Sequence, residues 1–571
     1  MTIADPLARR SMVAVVVALM IAGCGGIGSD GGTGDEVGRG GTATTTQPSS
    51  ATTGSSGPGS TVPGSGAYYV RVDGGSREQC TGTTDAAYPG SGMHQPCAWD
   101  HPFRALPPGG EAVLAGGGTL LIGPGEYMVG FGAPGAEDCD TDDRWGCAMP
   151  PVPSGPDQAH PTRIAGVGWD SGCPDPPQLW GAEAVGQLID LTGASHIELA
   201  CLEITDHAGC VEDHSGGLAC PRDDYPFGNW ASVGVYAEDS SDVHIVDVDI
   251  HGLADAGVRA GRLTDWTFER VRIAANGWVG WDGDIEGDDA NSGTMSFRDW
   301  TVEWNGCVES YPGGDPIGCW GQSAGGYGDG LGTGETGATW IIEDSTFRYN
   351  TSDGLDLLYV RRDGAGVTVR RSSAYGNAGD QIKTGGPTLL ENVIAVSNCG
   401  FFSGKAFTHD VDPCRSGGSA VALNTHRGGD AVIVNATIAG QGDCLIIAEC
   451  AEGHDCSGSE SVVVRNTILL GNPEFGGHGD VTCLAWSAFD RDPFDFDHVI
   501  IDGVKTDRLC PPASRCDAGT AVVDASLDVF DAHLGSGSIA IDAGTGEGAP
   551  VDDFAGHARN NPPDIGAYEA G

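Results

Sequence analysis

The stretch Trp266–Gly277, WTFERVRIAANG, alternates apolar and polar side chains along a short run and then stops on an Asn-Gly turn. Period-two alternation is the pattern of a half-buried strand, and aromatic and β-branched residues fill its apolar positions. The unit returns along the chain: VHIVDVDIHG at 243–252, MSFRDWTVEWNG at 295–306, WIIEDSTFRYNTSDG at 340–354, VTVRRSSAYGNAGD at 367–380, TLLENVIAVSNCG at 388–400 and VVVRNTILLGN at 462–472. Asn276, Asn305, Asn350, Asn377 and Asn398 mark its register, and the long interval from Asn305 to Asn350 holds an insertion carrying Cys307 and Cys319. A period of about 25 residues without helical patterning makes each unit one coil of a solenoid of stacked strands. Leucine-rich repeats need a consensus absent here, and propeller blades need roughly 40 residues each. Asparagine at a recurring turn suits the left-handed conformation and allows a side-chain ladder between coils. The 94 glycines fit a fold with several tight turns per coil.

Working outward, AYYVRVDGGS at 67–76 followed by GGTLLIGPGEYMV at 117–129 resembles the opening of secreted proteins of the pectate-lyase-like superfamily. The end of the chain, from FDAHLGSGSIAIDAGTG at 530–546 to VDDFAGHARNNPPDIGAYEAG at 551–571, resembles the terminal module of bacterial surface proteins called choice-of-anchor Q. The resemblance implies an all-β chain folded as a right-handed parallel β-helix. Its expected parts are an N-terminal cap and first coils at 67–184, further coils at 185–521 and a capping module at 522–571.

Arg9 and Arg10 precede an apolar run from Met12 to Ala22. That run of about 11 residues is short of the ~20 that span a membrane, so residues 1–23 read as a secretion signal. The junction Ile21-Ala22-Gly23-Cys24 resembles the lipobox of bacterial lipoproteins, which implies a lipid on Cys24 and an exported chain anchored to the outer membrane at the cell surface. Residues 24–66, rich in Gly, Ser, Thr and Pro, read as a flexible tether. Removing Cys24 from the 19 cysteines leaves an even number in an oxidising compartment. Close pairs are expected as loop staples: Cys80/Cys97, Cys139/Cys147, Cys210/Cys220, Cys307/Cys319, Cys399/Cys414, Cys450/Cys456 and Cys510/Cys516. A net charge of −50, from 79 acids against 29 bases, argues against nucleic acid and against anionic lipid as a partner of the body. It favours Ca2+, whose ligands are oxygens. A monomer touching the membrane only through its lipid is expected.

The residues that carry chemistry fall in 325–405. Asp329 in GYGDGLGTG, Asp353 and Asp356 in NTSDGLDLL, and Lys383 in GDQIKTGG are spaced by about one coil, so they are expected to stack in one column with coils ~4.8 Å apart. Three carboxylates suit a hard cation, and an ammonium one coil on would sit beside it. A cation of this kind stabilises the enolate formed when a proton is removed next to a sugar carboxylate, and it disfavours protonated lysine. Lys383, Lys405 and Lys505 are the only lysines, which singles out one in this column. The stretch resembles polysaccharide lyase family nine, the calcium-dependent pectate lyases, where a GDGF acid, a DDGWDL cluster and a GFKLGG lysine follow on consecutive coils. The resemblance implies that Asp329, Asp353 and Asp356 bind Ca2+ and that Lys383 is the Brønsted base. Ser352 stands where the family has the first Asp of its pair, so affinity for Ca2+ should fall, or another ligand such as Asp380 or a backbone carbonyl must substitute.

Arg348, Arg361, Arg362, Arg370 and Arg371 form, with Lys383, a basic island suited to sugar carboxylates or to balancing nearby acids. In WVGWDGDIEGDDANSG at 278–293, Asp282, Asp284, Glu286, Asp288 and Asp289 suggest a second Ca2+ loop or a solvated one, although Gly293 stands where a helix-loop-helix calcium site has Glu. Trp278 and Trp281 are candidates for stacking on sugar rings or for packing that loop. The expected function is therefore a calcium-dependent polysaccharide lyase on a uronate-containing glycan. A non-catalytic glycan-binding or adhesive β-helix and a glycoside hydrolase stand as alternatives.

Overall fold

Three strand segments recur in each coil of the computed structural model, which describes residues 66–570 apart from 209–229, 286–289, 310, 315, 322–327, 426–428, 452–455, 457, 473–481, 517–518 and 520. Cys24, most of the tether, Cys210, Cys220, Glu286, Asp288 and Asp289 lie outside the described residues. The first segments of successive coils make a ten-stranded parallel sheet, here the short sheet. Its strands are β1 (Val185–Asp190), β2 (Ala231–Glu238), β3 (Ala256–Gly261), β4 (Val279–Gly283), β5 (Leu331–Thr333), β6 (Leu355–Leu357), β7 (Ile382–Gly385), β8 (Val421–Thr425), β9 (Cys444–Cys450) and β10 (Cys483–Ser487). The other two segments run through a long sheet of 23 strands among the described residues, parallel at every rung given. The molecule is a right-handed parallel β-helix.

The bend between the two long-sheet segments comes at one place in each coil. Asp299, Asp344, Arg371, Asn392, Asn435 and Asn466 occupy it with φ near +50°. A single left-handed residue turns the chain sharply without ending the strand ladder. A second bend closes the coil ahead of the short sheet, and here the structure corrects the sequence reading. The left-handed residues are Ala275, Trp304, Tyr349 and Gly376, each just before a marker asparagine. That turn points the asparagine inward. Asn276 Nδ2 donates to Asn305 Oδ1 at 3.0 Å, Asn305 to Asn350 at 2.9 Å and Asn350 to Asn377 at 2.8 Å. The ladder ends on Gln381, which accepts from Asn377 at 3.0 Å. Asn398 has left the column and bonds Asp528.

Inside the coils the alternating apolar residues stack. Trp266, Phe268, Trp281, Phe297, Trp300 and Trp340 form a buried aromatic block, and aliphatic columns such as Leu331, Leu355 and Ile382 continue it. At the N-terminal end, Ala67–Gly75 pairs with Thr119–Ile122, and Phe103, Leu106 and Leu114 are buried in a cap stapled by Cys80–Cys97. The C-terminal residues lie along a flank: Val522, Ala540 and Ile565 pack on Val396, Ala439, Ile468 and Ile500. Backbone oxygens of Asp552, Asp564 and Thr545 accept from Asn392, Asn435 and Asn466 of the bend column.

Six expected disulfides are present: Cys80–Cys97, Cys139–Cys147, Cys307–Cys319, Cys399–Cys414, Cys450–Cys456 and Cys510–Cys516. Two longer ones, Cys173–Cys201 and Cys444–Cys483, were not expected. Cys444 and Cys483 are register partners on β9 and β10, so stacking brings together residues far apart in sequence.

Candidate active site and metal centre

Outward positions of the short sheet change character along its length. The column of Val233, Ala256 and Val279 is an apolar patch on the first coils. From there backbone hydrogen bonds continue it as Asp329, Asp353 and Asp380, because the Gly280, Gly330 and Gly354 N–H groups donate to the carbonyls of those three residues in turn. Each acid is aimed by the next coil. Asp329 Oδ1 accepts from the Asp353 N–H at 2.9 Å, Asp353 Oδ1 from Asp380 at 2.7 Å and Asp380 Oδ1 from Ser419 at 2.6 Å. Gly379 permits this approach, since a Cβ there would lie 2.1 Å from Asp353 Oδ1.

Asp356 and Lys383 stand in the next outward column as register partners on β6 and β7, with Gly332 on β5 beneath them. The expected single column is thus two adjacent columns, because Asp329 and Asp353 precede their strands whereas Asp356 and Lys383 lie on theirs. The side chains still converge. Lys383 Nζ lies 2.6 Å from Asp353 Oδ2, 3.4 Å from Asp356 Oδ2 and 3.7 Å from Asp380 Oδ2. Asp329, Asp353 and Asp356 each offer an oxygen within 4.8 Å of the other two. Asp380, named from sequence only as a substitute ligand, belongs to the cluster.

All of this is buried, and burial sets the protonation. It pushes Asp329 up to about 7, helped by repulsion from Asp353, and raises Asp356 and Asp380 as well. Burial also works against charge on Asp353, but the neighbouring Lys383 and Arg415 cations hold that carboxylate below the usual range. Burial opposes the Lys383 ammonium too, yet Asp353, Asp356, Asp380 and Asp329 outweigh it and hold the proton well above the ordinary lysine range. Arg415 is the residue that sequence reasoning missed. Its guanidinium donates to the Ser352 hydroxyl, which places a second cation beside Asp353. It follows the Cys399–Cys414 loop, off the coil period, and carried no signal.

The residues fit a hard divalent cation. Every donor is a carboxylate oxygen, Asp329, Asp353 and Asp356 each offer one within 4.8 Å of the others, and among the described residues the four carboxylates face the cations Lys383 and Arg415. Burial raises Asp329 and Asp380, and repulsion from Asp353 adds to it.

Other candidates go elsewhere. Trp281 is 0% exposed in the aromatic block, its Nε1 donating to the Ala260 carbonyl, so it cannot stack on a sugar. Trp278 packs on Val233, Ala256, Val279 and Trp320. Asp282 faces outward on β4, ion-paired to Arg259 at 3.3 Å, and accepts from the Asp284 N–H. Arg348, Arg370 and Arg371 sit with the long sheet, paired to Glu303, to Glu343 and Glu391, and to Asp344 and Asp552. There they balance neighbouring acids, one of the two roles the sequence leaves open for the basic island. Arg361 and Arg362 follow β6, bonded through their backbone to Thr336, with Arg361 over the Tyr359 ring.

No family model matches the chain, and no curated protein matches it. Solved structures similar to it include a pectate lyase (13% identity, 88% of this chain and 96% of that one, TM-score 0.42) and a rhamnogalacturonan lyase (12%, 76% and 87%, 0.38). A third is the A-module of a mannuronan C-5 epimerase from Azotobacter vinelandii (12%, 67% and 90%, 0.31).

Proposed function

We propose that the protein is a calcium-dependent polysaccharide lyase acting by β-elimination on a uronate-containing glycan outside the cell, its body tethered through a lipid on Cys24. The observation that carries this reading is one lysine among four buried carboxylates on an outward sheet face. Asp329, Asp353 and Asp356 would hold the cation, with Asp380 in place of the carboxylate lost at Ser352. When bound, Ca2+ supplies positive charge to the substrate carboxylate and competes for the anions that keep Lys383 protonated.

The chain's own residues do the rest. Backbone N–H groups fix the carboxylates of Asp329, Asp353 and Asp380 before substrate arrives. Lys383 Nζ, as neutral amine, takes the proton next to the sugar carboxylate; the C–H electron pair forms the double bond as the glycosidic C–O bond breaks, and the departing oxygen keeps that bond's pair and takes a proton from water. Arg415 holds Ser352 and adds positive charge at the edge of the cluster.

The test is ultraviolet detection of unsaturated uronate ends across a panel of uronate polymers, with Ca2+ and with chelator. A chelator-sensitive signal supports the reading. Binding of a polymer without unsaturated ends favours the non-catalytic alternative, in which Lys383 remains an ammonium in a structural ion cluster. Saturated reducing ends indifferent to chelator favour hydrolysis.

A further inference from the structure

The two cations of the acid cluster are placed differently. Lys383 grips it, with Nζ in ion-pair reach of Asp353, Asp356 and Asp380. Arg415 does not. Among the described residues its guanidinium pairs with no carboxylate, and it donates to the hydroxyl of the buried Ser352. Other arginines behave otherwise: Arg163, Arg262, Arg272, Arg348, Arg371 and Arg559 each hold at least one acid. Arg415 acts on the cluster through its field. Burial opposes its charge, and Asp353, Asp329, Asp356 and Asp380 outweigh that burial.

The backbone fixes where this charge stands. The Cys399–Cys414 disulfide closes the loop ahead of it, and the Arg415 N–H donates to the Ala378 carbonyl at 3.0 Å. Arg415–Gly417 makes a single tight turn between the left-handed residues Cys414 and Gly418. A Cβ on Gly418 would lie 2.8 Å from Cys399 Sγ, so the turn is packed against the disulfide. The next residue, Ser419, is the one whose N–H aims Asp380.

We infer that Arg415 is a fixed counter-cation that sets the Ca2+ affinity of the cluster, weakening it so that the ion exchanges with its surroundings instead of staying locked in. The inference rests on the Ca2+ site of the function proposed above. Lys383 occupies the oxygens an entering ion needs, so the ion takes its place on them. Arg415 occupies none of them, so it stays and repels the ion. Ca2+ sites range from about 10⁻⁹ M to about 10⁻³ M with the number of ligand charges and the rigidity of the site. Four buried carboxylates, three of them aimed by backbone N–H groups of the next coil, favour the tight end of that range. A permanent guanidinium offsets one of their charges. Its field crosses a buried region, where salt screens it less than at the surface.

Isothermal titration of Ca2+ into the full protein tests this. Arg415→Gln and Arg415→Met both remove the charge, and each is expected to bind Ca2+ about tenfold more tightly than the wild type. Arg415→Lys keeps the charge and is expected to stay within about twofold of the wild type. Arg348→Gln changes the net charge equally, but on the long sheet beside Glu303, and is expected to leave the affinity unchanged. An arginine that merely shaped the site would give the opposite order, since a loosened site holds its ion less well. Equal or weaker Ca2+ binding in a charge-removing variant that still unfolds cooperatively would overturn the inference and leave the lyase reading in place. No saturable Ca2+ binding by the wild type or by any variant would overturn both.

Discussion

Lys383 is covered by carboxylates, and the consequence of removing one partner is set by the burial of the others. Asp353 accepts both the Lys383 ammonium and the Asp380 N–H, and its side chain is only 3% exposed. Replacing it by Asn leaves a buried ammonium with weaker neighbours, so Asp353→Asn should lower the unfolding free energy by about 3 kcal/mol in chelator, read by denaturant melts. Unchanged stability would mean that the cluster is far wetter than the structure shows. At this scale the acids and the lysine were legible because each recurs at a coil interval. Arg415 was not, because a loop off the period delivers it to Ser352. The acid-rich run 278–293 reads as a loop, and from that reading the place of Trp281 does not follow. In fact Val279–Gly283 is a strand, and alternation there puts Asp282 out and Trp281 in.

Among elements, the asparagine ladder and the inserted hairpin carry the sharpest expectations. Asn350 both accepts from Asn305 and donates to Asn377 in a fully buried column. Asn350→Leu strands both neighbours and should cost about 1–3 kcal/mol, measured by chemical unfolding. The hairpin of Cys307–Glu309 and Pro316–Trp320 is clamped to the body by His251, which bonds Glu203 at 3.1 Å and Glu309 on the hairpin. Burial opposes charge on His251, but its bonds to Glu203 and Glu309 outweigh burial and raise it to about 10. An unfolded histidine titrates near ~6.5, so the clamp's contribution is whole below that pH and is lost as pH rises through 10. The stability gap between the wild type and His251→Gln should therefore be widest below pH 6.5 and close as pH approaches 10. A gap that widens with pH would contradict the assignment. The period named the ladder in advance, whereas the hairpin's docking depends on residues tens of positions apart with no shared interval.

For the whole molecule, the repeat made the β-helix legible before any coordinate. The alternation also says that one face of each strand is buried. What it leaves open is which of three faces a given outward column occupies, and this is why the arginines of the long sheet read as neighbours of Lys383. The net charge of −50 adds a consequence at this scale. A cation bound only by the folded chain stabilises it by about 2.7 kcal/mol at a hundred times its Kd, so Ca2+ should raise the unfolding midpoint in a saturable way. Asp353→Asn should blunt that rise; a rise unsaturable and equal in the variant would mean general screening of the acidic surface.

The central claim is that Lys383 takes a proton in an elimination. The measurement that meets it most directly is the rate of ultraviolet-absorbing product on the polymer the protein cleaves, for the wild type, Lys383→Ala and Lys383→Arg. Guanidinium keeps the positive charge but cannot give up its proton at working pH. Both variants are predicted to be inactive, with folding retained and Arg unable to rescue Ala. Product formation by Lys383→Arg at a rate near that of the wild type would contradict the account and leave the lysine as a structural cation.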